Sequence, residues 1–268
     1  MTFLTGMERQ IRTAARKCLP PGIRRPLGSL AGKVDEYIYR PLLGLVFDLK
    51  GARFHADGCT FDIPKDVTTR SFRSCFLLAT HEIDERILLK RYIRPQDRVI
   101  ELGACLGIVS CLTNKILADK SAHVVVEANP LCVQGLYRNR DLNKAGFLVE
   151  HCAVSNGSEV TFYLHPKYIV GGSLQRPTER GVRLPAKSLT QLERERGPFT
   201  ALIIDIEGSE RDVFEDSVEL LKRYRLVVVE LHDWAIGADG VERCRTILRD
   251  CGLVFAERSG IVEVWQRP

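Results

Sequence analysis

The chain has 268 residues, 45% of them apolar and 27% charged, which is the balance of a soluble globular protein of one α/β domain plus an appendage. Nine cysteines, an odd number with no C-x-x-C pair, speak against a disulfide framework and a zinc site and for a reducing compartment. The net charge of +5 is concentrated at one end: residues 1–33 hold seven Lys or Arg against one acid, leaving 32 against 33 in the rest, so the total does not imply a basic, nucleic-acid-binding catalytic face. No stretch approaches the roughly twenty apolar residues that span a bilayer. Pro41–Phe47 is short and ends at Asp48, and the first residues lack the apolar core of a signal peptide. The expectation is a cytoplasmic protein, with peripheral membrane contact open to the basic residues 9–33.

Residues 1–70 read as a basic extension. Pro20-Pro21, Pro26 and Pro41 punctuate a short helix, a turn and a second helix, and residues 52–63 suggest a small hairpin. The main domain is expected over 71–268. Glu82 to Tyr92 reads as a helix with Ile83, Ile87 and Leu88 on one face. Strand and helix then alternate: strand Arg98–Leu102, helix Gly107–Leu117, strand His123–Glu127, helix Leu131–Lys144, strand Phe147–Ala153. A hairpin between that strand and Val160–Leu164 follows, then an irregular segment through Gly171-Gly172 to Pro185. Strand Ala201–Ile206, helix Ser209–Tyr224, strand Leu226–Leu231 and helix Gly240–Cys251 resume the alternation. Leu253–Arg258 and Ile261–Gln266 close the chain as a hairpin around Ser259-Gly260. Such alternation calls for a parallel sheet covered on both faces, with an antiparallel strand at one edge.

The most informative stretch is Val99-Ile100-Glu101-Leu102-Gly103-Ala104-Cys105-Leu106-Gly107, followed by Val124-Val125-Val126-Glu127-Ala128-Asn129-Pro130. Each apolar run ends in an acid, and the first also ends in a glycine turn opening into a helix. This is the grammar of a nucleotide-type site at the carboxyl edge of a parallel sheet. The glycines are wrong for a dinucleotide, because E-x-G-x-x-x-G is not the G-x-G-x-x-G that cradles a pyrophosphate. Glu101 would also repel phosphate, but suits a ligand end carrying an amino group. Glu127 is placed to accept hydrogen bonds from two ribose hydroxyls. Ribose, ammonium and no phosphate describe S-adenosylmethionine.

A second cluster lies downstream. Asp205, Glu207 and Glu210 follow the apolar Leu202-Ile203-Ile204, and Glu230 and His232 follow Val227-Val228-Val229. In a parallel sheet these strand ends share an edge with Glu101 and Glu127, and residues two apart on a strand share a face. Glu210 alone reads as an ordinary first-turn helix acid.

These residues resemble the FkbM family of S-adenosylmethionine-dependent methyltransferases. The resemblance rests on Glu101-Leu102-Gly103-Ala104-Cys105-Leu106-Gly107, on Glu127-Ala128-Asn129-Pro130, on Asp205-Ile206-Glu207-Gly208-Ser209-Glu210 and on Glu230-Leu231-His232, with His81-Glu82 ahead of the first strand. It covers about residue 80 onward. It implies a class I methyltransferase fold, an α/β Rossmann-like, doubly wound and mostly parallel sheet with a C-terminal antiparallel hairpin. The implied cofactor set is Glu82, Glu101, Gly103, Ala104, Gly107, Glu127, Asn129, Ala153 and Asp205. The implied catalytic set is His232, Glu207, Asp205 and Glu230. Three departures stand out: Cys105 for the usual loop asparagine, Ile203 for a lysine, and Ser188-Leu189-Thr190 where the family often has T-L-D. The last two fall toward the acceptor side.

The implied reaction carries the sulfonium methyl to an oxygen of a small molecule or glycan. His232 fits the base, because an ordinary imidazole titrates near neutral pH, with Glu207 or Asp205 orienting it or binding sugar hydroxyls. Asp205 could instead face the cofactor's amino group. A metal-free reaction is preferred to a divalent cation held by Asp205, Glu207 and Glu230. The favoured acceptor is a hydroxyl of a sugar, a surface polysaccharide or a glycolipid, ahead of a polyketide-type hydroxyl. A dehydrogenase, a nucleic-acid methyltransferase and a non-catalytic cofactor-binding module are the competing readings.

Overall fold

The computed structural model describes residues 35–166 and 169–268; the basic stretch 9–33 and the expected first helix lie outside the described residues. Helix α1 (Arg40–Leu49) follows a π-helical turn, Asp35–Tyr39. The hairpin expected from the sequence is β1 (Arg53–Ala56) with β2 (Cys59–Asp62). Helix α2 (Arg70–Leu77) comes next, which sequence reading missed; Thr69 caps it by accepting the Phe72 N–H. The expected domain boundary at residue 70 falls on the first residue of α2. Across it Phe47 stacks on Phe76, Phe54 meets Phe76 edge-on, and Arg73 donates two hydrogen bonds to the Asp48 carboxylate.

The main alternation runs α3 (Ile83–Tyr92), β3 (Val99–Leu102), α4 (Ile108–Ile116), β4 (His123–Val126), α5 (Pro130–Leu142) and β5 (Leu148–Glu150). There the expected long strand breaks. Its end, β6 (Ala153–Val154), leaves the main sheet and pairs in parallel with β8 (Gly181–Lys187), while β7 (Glu159–Tyr163) pairs antiparallel with β8. The segment expected to be irregular thus supplies the central strand of a small three-stranded sheet. Helix α6 (Leu189–Arg196), β9 (Ala201–Ile204), α7 (Glu210–Asp216) and α8 (Val218–Leu221) follow, so the single expected helix is broken at Ser217. After β10 (Leu226–Glu230), α9 (Asp233–Asp250) starts earlier than expected and is interrupted at Gly237, whose φ is 70°. The hairpin β11 (Val254–Ser259) with β12 (Val262–Gln266) closes the chain.

The large sheet has the order β11-β12-β10-β9-β3-β4-β5. The five strands from β10 to β5 are parallel, and β12 is antiparallel to β10. Every residue of β3, β4 and β9 is buried, as expected of strands covered on both faces. Alternation divides the core. Ile100, Leu102, Leu202, Ile204, Val227 and Val229 pack on one face with Phe214 and Leu248, while Val99, Ile203 and Val228 pack on the other with Leu88, Leu89 and Val109. Each such side chain contributes roughly 1.5–3 kcal/mol on full burial. The hairpin is seated on α5, where Asn143 and Asn139 accept the Thr60 and Asp62 N–H groups at 2.8 Å.

Candidate active site

The order of strands reverses between β3, from which the chain proceeds outward to β4 and β5, and β9, from which it proceeds the other way to β10. Parallel α/β sheets open a crevice at such a switch point. A cavity of about 410 Å³ lies there. It is lined by Glu82, Gly103, Glu127 and Asn129, and also by Ala153, Asp205, Glu207 and Glu230. Sequence reading therefore brought eight of its residues to one place.

Glu127 organises the first loop. Its Oε2 accepts the N–H groups of Ala104 (3.0 Å) and Cys105 (2.6 Å), and its Oε1 accepts that of Asn129 (2.6 Å). Burial pushes the carboxyl up to about 7, against the pull of these hydrogen bonds. A carboxylate offers about four acceptor positions, so about one is left for a ligand in the cavity. Gly103 has a φ of 88°, and a Cβ there would lie 1.7 Å from the Asp205 carbonyl oxygen. The glycine is thus required by the contact between the two site loops, which locks the β3 and β9 edges together.

Glu101 is a correction. It is fully buried, off the cavity, with Oε1 accepting the Ser110 hydroxyl at 2.5 Å and Oε2 3.2 Å from His123 Nε2. The reason is strand alternation: Glu101 shares the α4-covered face with Val99 and Ile203, not the open edge. Ala104 and Gly107 also stand off the cavity lining. Ala104 acts through its N–H on Glu127, and Gly107, at φ 78°, begins α4 against Leu136. Asn129 lines the cavity, but its side chain is spent on the Leu131 N–H and the Ile169 carbonyl.

The catalytic candidates converge on one ring. His232, 4% exposed, places Nδ1 2.8 Å from Glu210 and Nε2 3.4 Å from Glu230, 3.5 Å from Glu207 and 3.6 Å from Asp205. Burial opposes a charge on the ring, but the hydrogen bonds to Glu210 and Glu230 and the field of Asp205 raise its pKa to about 11. The surrounding acids thus favour the charged form of the ring. The acids move the opposite way. Burial and Glu230 push Asp205 well above the usual carboxylate range, and burial raises Glu207 while His232 draws it down.

Sequence reading missed Glu85 and Arg176, and read Glu210 only as a first-turn helix acid. Glu85, one turn into α3 from Glu82, lines the cavity and is pushed well up by burial and by Asp205. Its only sequence signal was an i, i+3 spacing that any first-turn acid shows. Arg176 lies 3.8 Å over the ring of the half-exposed Trp234, and its charge lowers Glu207. Three cavity residues other than glycine, Glu82 (φ 49°), Cys105 (φ 47°) and Glu207 (φ 56°), are left-handed, which concentrates backbone strain at the site.

The residues fit S-adenosylmethionine. Glu82 Oε2 and Asp205 Oδ1 are buried without hydrogen-bond partners among the described residues, an unfilled demand that an ammonium group meets. Val126, Phe162 and Ile169 give the cavity an apolar wall. Two overlapping triads, Asp205 with Glu207 and His232, and Glu85 with Asp205 and Glu230, each bring ligand atoms within 4.8 Å of one another, close enough to hold a cation.

Solved structures of similar shape include an Aeropyrum pernix fibrillarin with natively bound S-adenosyl-L-methionine (10% identity, 68% of this chain and 72% of that one, TM-score 0.42). A precorrin-6y C5,15-methyltransferase from Geobacter metallireducens GS-15 shares 11% identity over 68% and 86% (TM-score 0.43). A putative O-methyltransferase from Klebsiella pneumoniae shares 13% over 69% and 78% (TM-score 0.40). Similarity at this level adds nothing to the strand order described above. No curated protein matches the chain. The methyltransferase FkbM domain, by contrast, matches residues 101–255, more than half of the sequence and the stretch that carries both acidic strand ends. The chain belongs to the FkbM family of S-adenosylmethionine-dependent methyltransferases.

Proposed function

We propose that the protein methylates a hydroxyl oxygen of a sugar, in a glycan or glycolipid. The observation that carries this reading is the ring of carboxylates, Asp205, Glu207 and Glu230, at the far side of the cavity from Glu127 and around a cationic His232. When bound, S-adenosylmethionine supplies an electrophilic methyl group. Glu127 holds the ribose, and Glu82 Oε2, with Asp205 beside it, takes the ammonium group.

An aliphatic hydroxyl is a weak nucleophile until its proton leaves. Glu207 is the base in this reading. It lines the cavity, its side chain is 25% exposed, and its raised pKa makes it a stronger proton acceptor than an ordinary carboxylate. His232 fixes the carboxylates through its charge, and Glu230 is left to accept a second sugar hydroxyl. This reading takes the reaction as metal-free, with the His232 ring lying among the acids where a cation would otherwise neutralise them. An acidic cavity disfavours a nucleic-acid acceptor, whose phosphates it would repel. The cytoplasmic setting rests on the cysteine set alone; no helix among the described residues is long and apolar enough to cross a membrane.

The test is formation of S-adenosylhomocysteine by the purified protein on panels of saccharides, polyketide-type phenols and alcohols, and RNA, with Glu207→Gln beside wild type. Turnover on saccharides that falls by about 10²–10⁴ in the variant supports the reading. Turnover only on another panel, or full activity of the variant, overturns it.

A further inference from the structure

A second cleft, of about 490 Å³, lies beside the reaction cavity, between the small sheet and α7. The two share Val154, Leu174 and Ser209, which form a common wall. The polar lining of the cleft is built from amide and carboxylate pairs. Gln175 Nε2 donates to Asp212 Oδ2 at 3.2 Å, and Asn156 Nδ2 donates to Asp216 Oδ2 at 2.5 Å. Asp212 and Asp216 are one helical turn apart and so face the same side. Each pair retains an amide oxygen, a second amide N–H and a carboxylate oxygen, a mixed set suited to hydroxyls that both donate and accept.

Ser209 stands on the shared wall. It is 4% exposed, and its Oγ is buried with no hydrogen-bond partner among the described residues. A hydroxyl-bearing ligand passing between the cavities would satisfy it. Ser173 ties the cleft to the chemistry: its Oγ donates to the Glu207 carbonyl at 2.6 Å and accepts the Gln175 N–H at 3.0 Å. No Lys or Arg lines the cleft among the described residues; Arg211 Nη2 stands 3.6 Å from Asp212 Oδ1 at its rim, and Asp216 still turns an anionic ligand away. Ser188, from the stretch where this chain departs from its family, lines it too.

We propose that this cleft is a subsite for neutral sugar rings flanking the ring that is methylated, so that the substrate is an oligosaccharide or glycan chain. The proposal rests on the sugar-hydroxyl reading above and adds the acceptor's length and charge.

The test is an array of neutral and anionic glycans, from single rings to short chains, probed with the full chain saturated with S-adenosylhomocysteine. Gln175→Ala, Asp212→Lys and Asp216→Lys change exposed residues of the second cleft. Wild type should prefer neutral chains over single rings by about tenfold or more. Each variant should lose that preference and keep its calorimetric affinity for S-adenosylhomocysteine. A preference for anionic glycans, equal binding of rings and chains, variants that bind like wild type, or no glycan binding overturns the subsite. Methyl transfer on the glycans that bind separates the two readings. Chains that bind in the cleft and are never methylated leave the subsite standing and remove the O-methyl reading. Transfer that is no faster on chains than on single sugars, and unaffected by the variants, does the reverse.

Discussion

His232 Nδ1 donates to Glu210 Oε1 across 2.8 Å, and the same oxygen accepts the Gly208 N–H at 3.0 Å, with Glu210 fully buried. Glu210 thus holds the ring from behind while Nε2 faces the substrate-side carboxylates. Glu210→Ala leaves Nδ1 of a buried ring without its acceptor while Asp205, Glu207 and Glu230 still face Nε2, and should cost about 1–3 kcal/mol, with less lost in Glu210→Gln, whose amide oxygen still accepts. Denaturant titration measures both. The ring's pKa is raised to about 11, so its stabilisation is complete below the ordinary histidine value and is lost as pH rises through about 11. Glu210→Gln should flatten that alkaline loss, and an unchanged pH profile would remove Glu210 as its cause.

Glu127 makes cofactor affinity depend on pH. The ligand-free carboxyl is held up near 7, and only the ionised form keeps its remaining acceptor position open to a ribose hydroxyl. Calorimetric affinity for S-adenosylhomocysteine should therefore rise from about pH 6 to about pH 8, by at most about tenfold per pH unit. The sign for stability is opposite. A raised carboxyl pKa favours the folded state below its unfolded value, and that contribution is lost as pH rises through about 7. Glu127→Ala should bind weakly and without the pH slope; a slope that survives the substitution would place the titrating group elsewhere.

The acids at strand ends were legible because an apolar run that stops at a carboxylate fixes both the strand and the edge on which it ends. Glu127, Asp205, Glu207 and Glu230 were found this way. Glu101 was placed on the right strand and the wrong side, since its role depended on which face α4 covers, a tertiary fact. Glu85 and Arg176 reach the site from α3 and from the segment before β8, and nothing local marks them. The pairing of β7 with β8 was hidden for the same reason: about twenty residues separate partners that only the fold brings together. His232 was legible at its strand end, but the contact of its Nδ1 with Glu210 was not, because Glu210 looked like a helix-start acid.

Cys105 holds a left-handed backbone, φ 47°, and donates its N–H to Glu127. Asparagine tolerates that conformation better than other residues with a Cβ. Cys105→Asn should raise stability by about 0.5–1 kcal/mol, read as a higher melting temperature, with affinity for S-adenosylhomocysteine kept. A lower melting temperature would mean that the packing of the thiol in this cavity wall outweighs the backbone relief.

Removing divalent cations should leave the enzyme unaffected. Asp205, Glu207 and Glu230 lie 3.4–3.6 Å from His232 Nε2 and already share its positive charge. A metal ion there would have to displace that proton or crowd it. Methyl transfer and melting temperature should be the same in EDTA and in excess Mg²⁺ or Mn²⁺. Activity lost in EDTA and restored by one ion would assign the acidic triads to a metal instead.

Glu207 combines a left-handed φ of 56° with a carboxyl that burial and Glu230 both disfavour in its charged form. Such a residue is expected where chemistry, not stability, sets the choice. Glycine at this position relieves about 1–2 kcal/mol of backbone strain and gives back about 0.5–1 kcal/mol in chain entropy. It also removes one member of a crowded set of like charges. Glu207→Gly should therefore melt at a temperature equal to or above wild type while losing methyl transfer. Affinity for S-adenosylhomocysteine should hold, because Glu127 and Asp205 are untouched. If the variant melts clearly lower, the ion pair with His232 contributes more than the strain costs, and Glu207 belongs to the scaffold as much as to the reaction.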